Sequence, residues 1–469
     1  MNLRKFGLIT LIAGLGTSVF GASIDHIQNY TAEYNANMAQ QAAISPTTSA
    51  YYNPAGIMRL ENGTYFTGGV QLAFGKETMR YDTTAGEGNR YDANLLAPIP
   101  NFALIKKDDN RAYFWTFGGI AGGGDLKYED GVAGIKVLED AVPGMTKPII
   151  NSLLPQFNGN LPGIQAKDNG SWAEGENMYA QTTLGTAWNI NNKLSMSVAG
   201  RVVYGWRNLK AGLDAQLSQP MLGINERITA EIDSERTAWG FGGQIGLNYA
   251  YNDTWNFAMR YDTKVKMEFE ADTDSTKISG LKGPLGMLNG KGFENFFPQY
   301  TDGAKHRRDL PAILALGASQ KITDKWKMFY GFNYYFNESA KIDKDVKYRN
   351  FLNDKKVEYT GLEYDNGWEI SLGTEYWLNE KWAVLGGVNY ADTGAPKDSY
   401  SDVEFALNSF LVGMGVKYRP NEDTEWVVST SHYFYEATDG NFADKYPGAN
   451  AQRYDKNISS IGFSYTKKF

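Results

Sequence analysis

The feature that most constrains the fold is a strict alternation of apolar and other residues that recurs along most of the chain. In one such run, Trp255, Phe257, Met259 and Tyr261 share one parity and the residues between them take the other. Similar runs begin at Trp239, Trp326 and Trp368. A period of two over this length indicates a β-strand with one apolar face. Aromatic residues lie at the ends of these stripes and aliphatic residues lie between them, as expected of a sheet whose outer face crosses a membrane.

Short polar links between these runs give the number of strands. Six such links recur, and four of them are followed closely by tryptophan, at Trp255, Trp326, Trp382 and Trp426. Longer connections lie between them, which is the asymmetry of turns and loops in an outer-membrane barrel. Fourteen strands are predicted, near residues 64–74, 96–106, 111–126, 177–190, 193–209, 236–251, 254–270, 308–322, 325–342, 367–378, 381–392, 403–418, 424–436 and 454–469. The predicted fold class is therefore all-β, a 14-stranded antiparallel transmembrane β-barrel, because closure satisfies every strand edge in lipid.

The amino-terminal end predicts export. Residues 1–21 combine Arg4 and Lys5 with an apolar run at 6–15 and small residues at the end, which is the pattern of a secretory signal peptide. No later stretch of about 20 residues is apolar enough to cross a bilayer as a helix. The predicted organisation is a signal peptide at 1–21, an N-terminal segment at 22–62 and a barrel at 63–469. The predicted location is the outer membrane of a Gram-negative bacterium.

The composition argues against several classes of function. The chain has 30 Tyr, 24 Phe, 11 Trp and 51 Gly but no Cys, which is unusual for a soluble secreted enzyme. The net charge of −7 argues against nucleic acid as a partner. The three histidines, His26, His306 and His432, have no spacing typical of a metal site or an activated nucleophile. We therefore predict a protein that is not an enzyme and that has no cofactor and no metal.

The N-terminal segment ends in a turn, and the chain ends on an aromatic residue. Asn53, Pro54, Ala55 and Gly56 predict the turn, because proline fixes its own φ and Gly56 allows the chain to reverse. Phe469 closes an alternating last strand, which resembles the signal read by the barrel assembly machinery. We therefore expect that machinery and the outer-membrane lipids as partners.

Together these features resemble the FadL family of outer-membrane transporters for long-chain fatty acids and, in some branches, aromatic hydrocarbons. The resemblance rests on the signal peptide, the leader that ends in Asn-Pro-Ala, the fourteen strands, the run Leu310-Pro311-Ala312 and the terminal Phe469. It implies that residues 22–62 are a hatch that plugs the lumen. It also implies that Asn53, Pro54 and Ala55 lie near an inward kink in the third strand, and that the ligand is a fatty acid or an aromatic hydrocarbon.

A run of glycine residues marks the third predicted strand. Gly118, Gly119, Gly122, Gly123 and Gly124 give five glycines in seven positions of a segment that should pair on both sides. Glycine weakens a strand and permits bulges. The plain interpretation is a corner that helps the barrel to curve. The functional hypothesis is a lateral gate, through which a hydrophobic ligand passes from the lumen into the membrane without entering water.

Parity places three arginines in the lumen. Arg201, Arg207 and Arg260 face inward, where a guanidinium group can pair with a fatty acid carboxylate. The alternative, which we favour, is a structural ion-pair ladder with Glu369 and Glu375 as partners.

The long connection before the eighth strand is apolar, and it predicts either a loop core or an exposed site of first ligand capture. Its candidate ligand-binding residues are Leu285, Met287, Phe293, Phe296 and Phe297. The predicted function is facilitated uptake of hydrophobic molecules with lateral exit through the kinked third strand. The alternatives are a general diffusion porin, a surface adhesin, and a barrel enzyme with its catalytic residues on the lumen rim.

Overall fold

The computed structural model describes residues 27, 31–81, 89–128, 131–154, 156, 160–282, 286, 289–292, 300–349, 356–359, 363–400, 404–445 and 450–469. The predicted signal peptide at 1–21 lies outside these residues. Within them, no helix is both long and apolar enough to span a bilayer.

Most of the described chain is β-strand. The segments β1 to β20 are Gly63–Tyr81, Asn89–Lys107, Arg111–Tyr128, Gln165–Asp168, Trp172–Asn189, Leu194–Gln219, Ile224–Ala250, Trp255–Asp262, Glu268–Ser275, Lys305–Arg308, Ile313–Lys321, Trp326–Tyr335, Ile342–Arg349, Lys356–Tyr359, Gly367–Trp377, Trp382–Asp392, Ser409–Asn421, Thr424–Tyr435, Thr438–Asp439 and Gln452–Lys468. The helices α1 to α4 are Ala32–Ala36, Ser49–Tyr52, Ala133–Leu153 and Phe442–Lys445. Short 3-10 helices cover Pro54–Arg59, Pro220–Leu222, Asn337–Ser339 and Lys397–Ser399.

The sheet closes on itself. Each of the long strands that form the barrel pairs antiparallel with the barrel strands before and after it, and β1 pairs with both β2 and β20. The closing register runs from Tyr65 opposite Lys468 to Tyr81 opposite Gln452. Some barrel strands are bent and consist of two segments, namely β8 with β9, β10 with β11, β12 with β13, β14 with β15, and β18 with β19. Since β4 only pairs beside the outer part of β6, the barrel has fourteen strands, and the predicted fold class is confirmed.

The predicted alternation is present in the wall. On β6, the inward residues Ser195, Ser197 and Arg201 are buried, and on β7 the outward residues Trp239 and Phe241 are 64% and 72% exposed. Exposed aromatic and aliphatic side chains on the outside are what a lipid-facing wall requires, because lipid takes the place of a protein core there.

The outer parts of β6 and β7 reverse this pattern. Both strands continue well beyond their predicted ends, to Gln219 and from Ile224. In this region Ile228 and Ile232 are buried on the inside, whereas Arg227 is exposed on the outside. Apolar residues inside and charged residues outside indicate a wall that stands in water around an apolar interior. The two strands were predicted too short because their ends were placed where the lipid-facing apolar stripe stops, which is at the membrane surface.

Residues 31–60 lie inside the barrel. Every residue of α1 and α2 is buried, and Glu33, Asn35 and Tyr51 contact the wall. We call residues 31–60 the hatch.

Candidate functional site

Seven glycines of the wall form a seat for the hatch. A Cβ atom added to any of them would lie less than 3.0 Å from a hatch atom. At Gly413 the added atom would lie 2.2 Å from the backbone oxygen of Asn35, and at Gly317 it would lie 2.7 Å from the backbone nitrogen of Ala42. The hatch seat consists of Gly317, Gly331, Gly373, Gly387, Gly413, Gly415 and Gly462. At Gly317, Gly387, Gly413 and Gly462 the nearest hatch atom belongs to the backbone, which only a glycine in the wall lets approach this closely.

A buried ion pair ties the first helix of the hatch to the wall. The Nζ atom of Lys417 contacts a carboxylate oxygen of Glu33, and it lies 2.9 Å from Oε2 of Glu375. Ser45 donates a hydrogen bond of 2.9 Å to the other carboxylate oxygen of Glu33. All three charged side chains are less than 9% exposed. Removing one partner of a buried pair leaves an uncompensated charge, so this contact resists displacement of the hatch.

The predicted turn at residues 53–56 is present and rests on β6 and β7. The side chain of Asn53 accepts a hydrogen bond of 3.1 Å from the amide of Gly56 and donates one of 2.8 Å to Asn248. The carbonyl of Ala55 accepts a hydrogen bond of 2.7 Å from the Ser195 hydroxyl. Pro54 begins the 3-10 helix, where its missing N–H is tolerated. The tip of the hatch is therefore fixed to the wall on the side of β6 and β7.

Tyr51 connects the hatch to the third strand. Its hydroxyl lies 2.7 Å from the carbonyl oxygen of Phe102 on β2 and 3.0 Å from that of Phe117 on β3. Its own carbonyl accepts a hydrogen bond of 2.6 Å from Arg260. No sequence pattern indicated this role, although Tyr51 stands only two positions before the predicted turn residue Asn53.

The pairing of β2 with β3 is interrupted directly beside Tyr51. The register is regular from Lys107 to Asn101 on β2, and it resumes only at Leu96, which pairs with Asp125. Residues 97–100 of β2 and 119–124 of β3 therefore lie outside the register, and we call them the gap. All the predicted gate glycines lie in the gap except Gly118, which holds the last regular position before it.

Both strands contribute to the gap. On β3, two bulges against β5 fall within residues 119–124, and Gly122 and Gly124 have φ values of 126° and 69°, which other residues rarely adopt. On β2, Pro98 and Pro100 lack backbone N–H groups, while the register with β1 is unbroken. The N–H groups of every second residue in a strand point toward the same neighbouring strand. Since the pairing of β2 with β1 is unbroken, the N–H groups that Pro98 and Pro100 lack belong to the edge of β2 that faces β3. Prolines within a strand signal an edge, so they were a sign in the sequence that the glycines alone did not provide.

A cavity of about 400 Å³ lies in the wall at the gap. We call it the gate cavity. Its lining on the lumen side includes Gln71, Glu77, Tyr433 and Lys456. Apolar residues Leu95, Ile99 and Ile120 follow, and Leu96 and Met178 line its outer end. These last two side chains are 63% and 46% exposed on the outer face of the barrel. Residues of both faces of the wall therefore line one cavity.

The three predicted arginines are held by protein acceptors. Arg201 donates two hydrogen bonds to Oε1 of Gln181, of 3.1 Å and 2.8 Å. Arg260 holds the carbonyl of Tyr51, and Arg207 lies 3.1 Å from a carboxylate oxygen of Glu404.

Neither glutamate that was suggested as a partner for these arginines forms a described ion pair with them. Glu375 pairs with Lys417, and Glu369 accepts a hydrogen bond of 3.0 Å from Asn333. Parity predicted the inward face correctly, but partners depend on strand register, which the sequence does not supply. A ligand-binding role for the three arginines stays a prediction.

Arg207 belongs to a buried cluster of basic side chains beside the outer parts of β6 and β7. Arg236 and Arg308 lie in the same cluster, and Arg308 shares Glu404 with Arg207. His306 stacks on the ring of Phe269, and its pKa is held well below its usual value by burial and by the neighbouring arginines. The imidazole is therefore neutral at neutral pH.

The remaining predicted ligand-binding residues belong to the apolar connection before the eighth predicted strand. Leu285, Met287, Phe293, Phe296 and Phe297 lie outside the described residues. Within the described ranges, no group of His, Asp and Glu side chains is arranged to hold a metal ion.

Comparison with known proteins identifies the family. A sequence profile of the outer membrane protein transport protein family (OMPP1/FadL/TodX) matches residues 162–469, which is more than half of the chain. The chain belongs to this family. The predicted family, barrel fold and outer-membrane location are thereby confirmed.

Relatives within the family are distant in sequence. The chain is 22% identical over 398 residues to the long-chain fatty acid transport protein of Escherichia coli K12, covering 81% of this chain and 80% of the relative. It is 23% identical over 271 residues to the protein of that name in Escherichia coli O6:H1 (strain CFT073), covering 53% and 57%. It is 26% identical over 196 residues to outer membrane protein P1 of Haemophilus influenzae Rd, covering 40% and 37%. The chain thus matches less than two thirds of the length of the last two relatives.

Solved structures of the family have the same fold. A FadL homologue from Pseudomonas aeruginosa superposes with a TM-score of 0.65 at 15% identity, covering 97% of this chain and all of the other. The toluene transporter TodX of P. putida gives a TM-score of 0.60 at 15% identity, covering 96% and 98%. At these identities the likeness is one of fold.

Proposed function

We propose that this protein carries hydrophobic small molecules across the outer membrane by facilitated diffusion, and that they leave the lumen sideways through the gap. The observation that carries this proposal is the gate cavity, which is lined by residues from both faces of the wall. Relatives are named as transporters of long-chain fatty acids or of toluene, so the proposed cargo belongs to one of these two classes.

The physical reason for lateral exit is the cost of exposing apolar surface to water. Each buried CH₂ group of a cargo molecule is worth about 0.8 kcal/mol relative to water. A path from the apolar interior through Ile99 and Ile120 to the lipid-facing Leu96 keeps these groups out of water throughout. A straight path into the periplasm would give up this stabilisation, and the seated hatch obstructs it.

The hatch is proposed to respond to cargo at its tip, near residues 53–56. A ligand shifts a conformational equilibrium only by binding one state more tightly than the other. Displacement of the tip would act on Tyr51, whose hydroxyl holds the carbonyls of Phe102 and Phe117 at the margin of the gap. The ion pair of Glu33 with Lys417 would keep the rest of the hatch in place. We therefore expect a small local movement in which the plug is not expelled.

The remaining predicted contacts belong to this proposal as well. The apolar loop residues from Leu285 to Phe297 would capture cargo at the cell surface. Phe469, whose amide donates a hydrogen bond of 2.8 Å to Thr64, would be read by the barrel assembly machinery before the barrel closes. The outer-membrane lipids would receive the cargo.

The test is to fill the gap with a side chain. A Cβ at Gly119 would lie 3.0 Å from Ile99, so Gly119→Ile places an apolar side chain across the gap without a positive φ to overcome. Uptake of radiolabelled oleate and of toluene would be measured in cells that lack their own transporter of this family. Gly200→Ile is the matched control, because Gly200 lies on the wall with no heavy atom within 4 Å of an added Cβ.

We expect Gly119→Ile to reduce uptake at least tenfold and the control to leave it unchanged, with both barrels folded by heat-modifiable migration. Undiminished uptake by Gly119→Ile would show that cargo does not pass through the gap. A large and steady ohmic current through the unmodified protein would instead support a diffusion porin.

A further inference from the structure

Charged side chains are unevenly distributed in the gate cavity. Its lining includes three carboxylates, Glu77, Asp125 and Glu176, and one ammonium group, that of Lys456. Three acids and one base give the cavity an excess of negative charge at neutral pH. Its remaining lining is largely apolar, so it offers few polar groups that could offset that charge.

The single ammonium group is already engaged. The Nζ atom of Lys456 lies 3.1 Å from Oε1 of Glu77, and both side chains are only 3% exposed. It also lies 4.8 Å from the ring centre of Phe405 and 5.9 Å from that of Tyr435. The ion pair and the two aromatic rings together stabilise the buried ammonium cation. A carboxylate that enters the cavity would compete with Glu77 for the same ammonium group.

The outer end of the cavity is acidic. Asp125 on β3 and Glu176 on β5 lie directly opposite each other in the strand pairing. Like charges at directly opposed positions repel each other. The carboxylate of a cargo molecule that moves from the cavity into the lipid would pass these two side chains and add to the repulsion. An uncharged molecule passes the same position without that penalty.

From this arrangement we infer that the gate cavity is a charge filter that passes uncharged hydrophobic molecules and excludes carboxylates. Glu77, Asp125 and Glu176 are the residues that determine the selectivity. The cargo is then an uncharged hydrocarbon or alcohol, and an ionised fatty acid is a poor substrate. This inference rests on the proposed lateral exit, because it concerns the charge along that route.

The test uses two probes that share a chain length and differ in charge, 1-decanol and decanoate at pH 7.5. Uptake of each is measured in cells with the full-length protein, and the rate in cells without it is subtracted. We expect the unmodified protein to take up decanol at least about tenfold faster than decanoate. Faster uptake of decanoate, or equal rates, would overturn the inference.

Three variants locate the filter. Asp125→Asn with Glu176→Gln is expected to raise the ratio of decanoate to decanol uptake severalfold. Asp324→Asn with Glu380→Gln removes the same charge from exposed periplasmic turns and should leave the ratio unchanged. Lys456→Met removes the only ammonium group of the lining and makes the cavity more negative, so it should lower the ratio of decanoate to decanol uptake further. If that variant takes up decanoate faster than the unmodified protein does, the charge of the cavity does not set the selectivity, and the filter does not exist.

Failure of this inference and failure of lateral exit have different signatures. If Gly119→Ile leaves decanol uptake unchanged, the route itself is wrong. If Gly119→Ile blocks decanol but the gate variants do not alter the uptake ratio, the route holds and the charge filter does not.

Discussion

Gly413→Val should unseat the hatch. An added Cβ at Gly413 would lie 2.2 Å from the backbone oxygen of Asn35, and real Cβ atoms do not approach within 3.0 Å, so the hatch must move by at least 0.8 Å. A backbone oxygen cannot rotate away as a side chain can. The movement would strain the hydrogen bond of 3.0 Å from Gln71 to Asn35 and the nearby pairing of Glu33 with Lys417. Overpacking of this kind costs about 1–3 kcal/mol.

A cost of 1–3 kcal/mol corresponds to an increase of about 5- to 150-fold in the population of the unseated state. The assay is single-channel recording in planar bilayers, supported by the sensitivity of whole cells to vancomycin. We expect the unmodified protein to be almost silent and Gly413→Val to open often. Gly200→Val is the control, since an added Cβ meets nothing within 4 Å there. A folded Gly413→Val barrel that stays silent would refute the idea that glycines seat the plug.

Three further variants test the other contacts. Lys417→Met leaves Glu33 and Glu375 without their shared cation and should cost about 3–5 kcal/mol, measured as a lower midpoint of thermal unfolding; an unchanged midpoint would contradict this. Tyr51→Phe removes about 1 kcal/mol of hydrogen bonding at the margin of the gap, so amides of β2 and β3 beside it should exchange severalfold faster. Replacing residues 122–124 by valine should abolish uptake in a folded barrel, because valine does not adopt the positive φ values that form the kink.

The sequence predicted the wall well because lipid imposes a simple rule on it. Each membrane strand must show apolar residues at every second position, so runs such as Trp255 to Tyr261 are legible without tertiary information. The outer parts of β6 and β7 follow the opposite rule, with Ile228 inside and Arg227 outside. Their ends were therefore missed.

The site was less accessible to sequence reasoning because it depends on register. Gly317, Gly373 and Gly413 lie on three different strands, and nothing in their local sequence relates them to one another or to the hatch. The glycine run on β3 was recognisable as a point of weakness, and Pro98 and Pro100 signal a strand edge, but only the pairing of β2 with β3 shows that these two features face each other.

The most direct test of lateral exit is to lock the gap reversibly. The chain has no cysteine, so Ile99→Cys with Gly119→Cys would introduce one disulfide across the gap. Ala103→Cys with Thr116→Cys is the control on the same two strands, at a regularly paired position. We predict that oxidation of the first pair stops decanol uptake and that reduction restores it, while the control pair transports in both states. Undiminished uptake through the oxidised gap would contradict the account.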